Sequence, residues 1–85
     1  MAIIKVGAAW CAPCKTMEPT LELIEKEHNI TIERVDIDAN PEYKEQYGIR
    51  SIPTLIINSE RGVFTTSGSK TKNQIEEFLK TNGAI

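Results

Sequence analysis

Within the run Ala2-Ile3-Ile4-Lys5-Val6-Gly7-Ala8-Ala9-Trp10-Cys11-Ala12-Pro13-Cys14-Lys15, an apolar β-branched segment gives way to the start of a helix, with two cysteines at the join. Residues 2–7, ending in Gly7, suit a buried strand. From about Ala12 to Glu27, Met17, Leu21 and Ile24 recur at i, i+4 and i+7 among Glu and Lys, the pattern of an amphipathic helix. Pro19 interrupts that pattern. It removes one backbone donor and crowds the preceding turn, so a kink is expected; the apolar stripe continues across it, which argues against two separate helices.

Downstream, Ile30, Ile32, Val35 and Ile37 alternate imperfectly with polar residues and predict a second strand. Asn40-Pro41 opens a short helix, Asn as its cap and Pro at its first position, and Gly48 closes it in a left-handed conformation. Tyr43 and Tyr47, four apart, share one face. Leu55-Ile56-Ile57 is a third strand, and Ser59–Gly62 a turn into a fourth at Val63–Thr66. Thr71 with Gln74 forms a capping box ahead of Ile75, Phe78 and Leu79, and that helix ends near Gly83. The expected fold is α/β, in the order β-α-β-α-β-β-α.

The 85 residues fit one domain, expected to span residues 1–85. With 40% hydrophobic and 26% charged residues the composition is globular, and no apolar run approaches the length of a membrane span. Ten basic against twelve acidic residues, with no basic cluster, supply no electrostatic drive toward nucleic acid. The opening Met-Ala-Ile-Ile-Lys-Val-Gly lacks the plan of a secretory signal, so a cytoplasmic monomer is expected.

In a reducing compartment two cysteines point to redox chemistry or metal rather than to a permanent staple. Structural zinc wants four ligands, and Cys11, Cys14 and the single His28 are too few, so no metal is expected. His28 suits the helix C-terminus, as a partner of the helix dipole or exposed to water. A helix N-terminus carries unsatisfied N–H groups and roughly half a positive charge, which favours thiolate at Cys11 and marks it as the nucleophile. Cys14, one turn further in, lies within disulfide reach and can resolve a mixed disulfide. That exchange needs no cofactor. Pro13 stiffens the ring and Ala12 adds little bulk, which keeps the site open.

Trp10-Cys11-Ala12-Pro13-Cys14-Lys15 closely resembles the active-site motif of the thioredoxin family, with Ala12 where glycine is usual and Pro19 at the family's helix-kinking proline. Val35-Asp36-Ile37-Asp38 with Asn40-Pro41, and then Tyr47-Gly48-Ile49-Arg50-Ser51-Ile52-Pro53-Thr54, are similar to the stretch that ends in the family's cis-proline loop; Gly68 matches a glycine bordering the substrate groove. The resemblance implies a thioredoxin-like fold, a mixed four-stranded sheet flanked by three helices, two of them on one face. It also implies protein thiol-disulfide oxidoreductase activity on protein disulfides, with electrons from a thioredoxin reductase-type donor. A cis Ile52-Pro53 bond would lie beside the disulfide, Ile52 backbone would pair with extended substrate, and Trp10 would line the groove. On its residues alone, Pro53 could equally be a trans proline entering an edge strand.

Two departures stand out. The chain starts at what would be the family's second strand, a size closer to glutaredoxins, so a glutathione-coupled role is an alternative; a binding module clamping an extended segment at Ile52-Pro53 is another. Lys5 stands where the family places a buried aspartate, and Gly7 where it has tryptophan. A charged Lys5 near Cys14 would favour thiolate and weaken the protein as a reductant; Lys5 snorkelling to water is the competing expectation. Lys15 is expected to be solvated, with a minor electrostatic effect on the thiols.

Overall fold

Strand β1 (Ala2–Gly7) is apolar on both sides except for Lys5, and in the computed structural model, which describes residues 1–85, it occupies an interior position of the sheet with Ile3–Gly7 all buried. Helix α1 (Ala12–His28) follows it, then β2 (Glu33–Asp36), α2 (Glu42–Tyr47), β3 (Thr54–Ser59), β4 (Gly62–Ser67) and α3 (Lys72–Thr81). The strand order is β2-β1-β3-β4. β1 runs parallel to β2, with Lys5 beside Arg34, and antiparallel to β3, with Lys5 beside Leu55. β3 and β4 form the hairpin, turning between Ser59 and Gly62.

Side chains alternate across a strand, so β1 and β3 each serve both faces of the sheet. On one face Ile3, Leu55 and Ile57 pack against Met17, Leu21 and Ile24 of α1 and Ile75 and Leu79 of α3. On the other, Ile4, Val6 and Ile56 meet Ile37 and the Tyr43 and Tyr47 rings of α2, which stand 5.4 Å apart. This is the thioredoxin-like arrangement, with two helices on one face and one on the other. α1 is helical throughout Pro19, as the unbroken apolar stripe requires. The capping box of α3 is present in both directions, from Thr71 side chain and from Gln74 side chain.

Two local expectations give way. β2 spans only Glu33–Asp36, not Ile30–Ile37, because the backbone N–H of Ile32 donates to the Glu25 carboxylate at 2.7 Å and that of Ile30 to the Glu25 carbonyl. Ile32 is nevertheless buried, so the apolar pattern records packing rather than ladder pairing. Asn40 does not cap α2: its side chain donates to the Asp36 carbonyl, and the helix starts after Pro41 with no side-chain cap. Gly48 closes α2 at φ 63°, as the sequence suggested.

Candidate active site

Cys11 is the N-cap of α1. Its backbone is extended, and its sulfur accepts the Cys14 N–H at 3.2 Å, satisfying one of the orphan donors of the first turn. The first turn carries no acidic side chain to oppose a thiolate there. Cys11 and Cys14 are joined as a disulfide with their Cα atoms 5.3 Å apart. Both cysteines are buried, Cys11 at 4% exposure and Cys14 at 1%, with Cys14 one turn further into the helix. Pro13 lies in the first turn, where its missing donor breaks no helical hydrogen bond.

Trp10, immediately before the pair, is 69% exposed and lies open to solvent. Its indole N–H donates to Asp38 at 2.7 Å, fixing a ring that has little packing to hold it. Trp10, Ile37, Asp38, Ile49 and Ile52 line a cleft of about 340 Å³, with Lys44, Arg50 and Ser51 completing its wall. The Ile52-Pro53 bond is cis. The Pro53 carbonyl accepts the Gly68 N–H at 2.8 Å, and Gly68 holds φ 93°, a conformation that a side chain rarely adopts. The structure thus brings Trp10 and Ile52 together in one cleft and Pro53 against Gly68. Lys15 projects into solvent and joins neither group.

Lys5 shares the α1 face of the sheet with Ile3 and Gly7. Because Gly7 has no side chain, Cys14 packs close against the point where its Cβ would sit. That point lies 3.0 Å from the Cys14 sulfur and 3.4 Å from the Lys5 ammonium, which brings the two groups close with no side chain between them. Lys5 is buried and donates to Glu18 at 2.8 Å. Glu18 also accepts from Arg34 at 2.8 Å, and Arg34 reaches Glu25 at 2.9 Å. Burial works against the Glu18 charge, but the hydrogen bonds from Lys5 and Arg34 outweigh it and hold the carboxyl below its usual range. Glu25 is likewise held low, by Arg34 and by the Ile32 N–H against an opposing burial effect.

Sequence reasoning missed Asp38 as the partner of Trp10 and Glu18 as the partner of Lys5. Glu18 carried a signal: it stands four residues after Cys14, hence on the same face of α1. His28 sits in the last turn of α1 as expected, and it is also paired with Glu76 at 2.7 Å. With Glu27 these three could group around an ion, but the Lys72 ammonium already stands 2.8 Å from Glu27 and 3.7 Å from Glu76.

Residues 1–81 match the family model Thioredoxin. A thioredoxin of Alicyclobacillus acidocaldarius is 40% identical over 80 residues, which take in 91% of this chain and 76% of that protein. One from Buchnera aphidicola subsp. Baizongia pistaciae is 41% identical over 81 residues, covering 91% and 73%. Among solved structures, a mutant thioredoxin from Halobacterium salinarum superposes with a TM-score of 0.84 at 22% identity, covering 94% of this chain and 72% of that one, a likeness of fold.

Proposed function

Since the chain belongs to the thioredoxin family and is a thiol-disulfide oxidoreductase, we propose that it reduces disulfides of protein substrates with electrons supplied by a thioredoxin reductase-type donor. The observation that carries this reading is the Cys11 sulfur at the N-terminus of α1, receiving the Cys14 N–H and following directly on Trp10, which lines the cleft. In the reduced protein the Cys11 thiolate attacks one sulfur of the substrate. The substrate S–S bond breaks, a mixed disulfide forms, and the leaving thiolate takes a proton from water. Cys14 then loses its proton and attacks the Cys11 sulfur, releasing the second substrate thiol. Two electrons have passed to the substrate, and the Cys11–Cys14 disulfide is re-formed.

Trp10, Ala12, Pro13, Ile52, Pro53 and Gly68 shape the groove that receives an extended substrate segment. Lys5 favours thiolate at Cys14, and Lys15 contributes a weak, solvent-screened field. Residues 1–85 act as one domain, as a monomer in the cytoplasm, where a reducing milieu keeps such a pair turning over. No helix is long and apolar enough to cross a membrane.

The alternative, coupling to glutathione, draws support from Lys44 and Arg50 on the cleft wall, two cations placed to meet carboxylates. Equilibrium titration of the cysteine pair against defined thiol-disulfide buffers separates the two. A potential near about −270 mV, with turnover dependent on an NADPH-fed reductase, is the expected result; one near about −200 to −230 mV with turnover on glutathione alone would overturn it.

A further inference from the structure

Lys5 and Arg34 are neighbours on adjacent strands, and parallel pairing puts their side chains on the same face of the sheet, under α1. Two like charges in that position repel. One carboxylate answers both: Glu18 accepts from Lys5 through one oxygen and from Arg34 through the other, each at 2.8 Å. Lys5 is the more deeply set of the partners, its side chain 9% exposed against 33% for Glu18. On its inner side that ammonium and the Cys14 sulfur both stand against Gly7, 3.4 Å and 3.0 Å from the point where a Cβ would sit. Lys5 therefore has two anions within its reach, the Glu18 carboxylate permanently and the Cys14 thiolate when it forms.

We propose that Glu18 is a positioning residue for the resolving cysteine: by holding the Lys5 ammonium it draws that charge away from Cys14 and keeps the inner sulfur a thiol until the mixed disulfide calls on it. The inference rests on the dithiol reading given above and on Lys5 as a neighbour of Cys14. Its consequence is a division of labour between the cysteines. Cys11 takes its thiolate character from the helix terminus, and Cys14, which must not compete for that role, is shielded from the full field of Lys5. The charged or titratable groups around Cys14 are Lys5 from β1, Glu18 and Cys11 from α1, and Arg34 from β2, the last tied to Glu25 as well as to Glu18. Removing Glu18 leaves Lys5 with the thiolate as its remaining partner, so ionisation of Cys14 becomes easier.

The test isolates Cys14 by working in Cys11→Ser protein and reads its ionisation from thiolate ultraviolet absorbance against pH. Four versions are compared: Lys5 with Glu18, Glu18→Gln, Lys5→Met, and both changes together. Glu18→Gln is expected to raise the Cys14 ionisation constant at least tenfold when Lys5 is present and less than threefold when it is Met, since with Met at position 5 only the direct field of the Glu18 carboxylate is lost. Lys5→Met alone is expected to lower the constant. An unchanged or lowered constant in Glu18→Gln, with Lys5→Met still shifting it, overturns the role of Glu18 and leaves Lys5 standing. No shift in any version overturns Lys5 as well, and neither result touches disulfide exchange itself. Should Glu18→Gln fail to fold because Lys5 and Arg34 are left to repel, the Glu18→Gln, Arg34→Gln double change removes that repulsion and carries the same expectation.

Discussion

In Cys14→Ser protein Cys11 is the single thiol, and the direction in which its pKa moves follows from the helix start. A hydrogen bond from the Cys14-position N–H to a charged sulfur is worth about 1.5–3 kcal/mol. The helix terminus adds about 0.3–1 kcal/mol, more where the site is partly buried. Together these favour the thiolate by roughly 2–4 kcal/mol, which holds the Cys11 thiol below the free value of about 8.5. Cys11 is itself buried in the oxidised protein, which opposes its charge. The helix start is expected to outweigh that opposition and leave the thiol below its ordinary value. The rate of alkylation by iodoacetamide against pH gives the value directly, and serine at position 14 keeps the amide in place. A titration centred at or above the free value of about 8.5 would refute the reasoning, since neither the amide nor the terminus would then be acting on the sulfur.

Other expectations are checked by stability. Leu79→Ala empties a fully buried position between α3 and the sheet and is expected to cost about 2–5 kcal/mol, read as a lower urea midpoint at unchanged slope. Gly48→Ala meets no atom within 4 Å, yet its φ of 63° alone should cost about 1–2 kcal/mol; a neutral result would mean that α2 ends differently. Thr71→Ala removes one half of the capping box and should cost about 1 kcal/mol in the same assay. Glu18 and Glu25 have folded pKa values below the ordinary 4.5, so the stability they contribute is complete above 4.5 and is lost as pH falls through the lower folded values. Urea midpoints measured from pH 6 to pH 3 should fall, and fall less in Glu18→Gln, Glu25→Gln protein; equal slopes would contradict this.

Much of this was legible in the chain itself. β1, α1, the hairpin and α3 follow from period, turn residues and the Thr71–Gln74 signature, because each is decided by neighbours in sequence. The cysteine pair at a strand-to-helix join likewise announces its chemistry. The cis Ile52-Pro53 bond came only from resemblance, since nothing local to Ile52 distinguishes the two isomers. The apolar pattern runs past β2 because burial of Ile32 and pairing of its backbone are separate matters, and Glu25 takes the N–H that a ladder would use. Asn40 is a cap by residue type, but its side chain donates to the Asp36 carbonyl instead. Lys5 is conspicuous as a charge in an apolar strand; Glu18 shows only its spacing from Cys14. Its role depends on which face of β1 lies under α1, and on Arg34 arriving from β2, and neither is a local property.

The central claim is that Cys11 attacks and Cys14 resolves. Incubating Cys14→Ser protein with a disulfide-bonded peptide, and weighing the product, tests it most directly. A mixed disulfide should accumulate on Cys11 and be released by added dithiol, while Cys11→Ser protein forms the corresponding adduct at Cys14 far more slowly. Adduct formation at Cys14 as fast as at Cys11, or none at Cys11, would contradict the account.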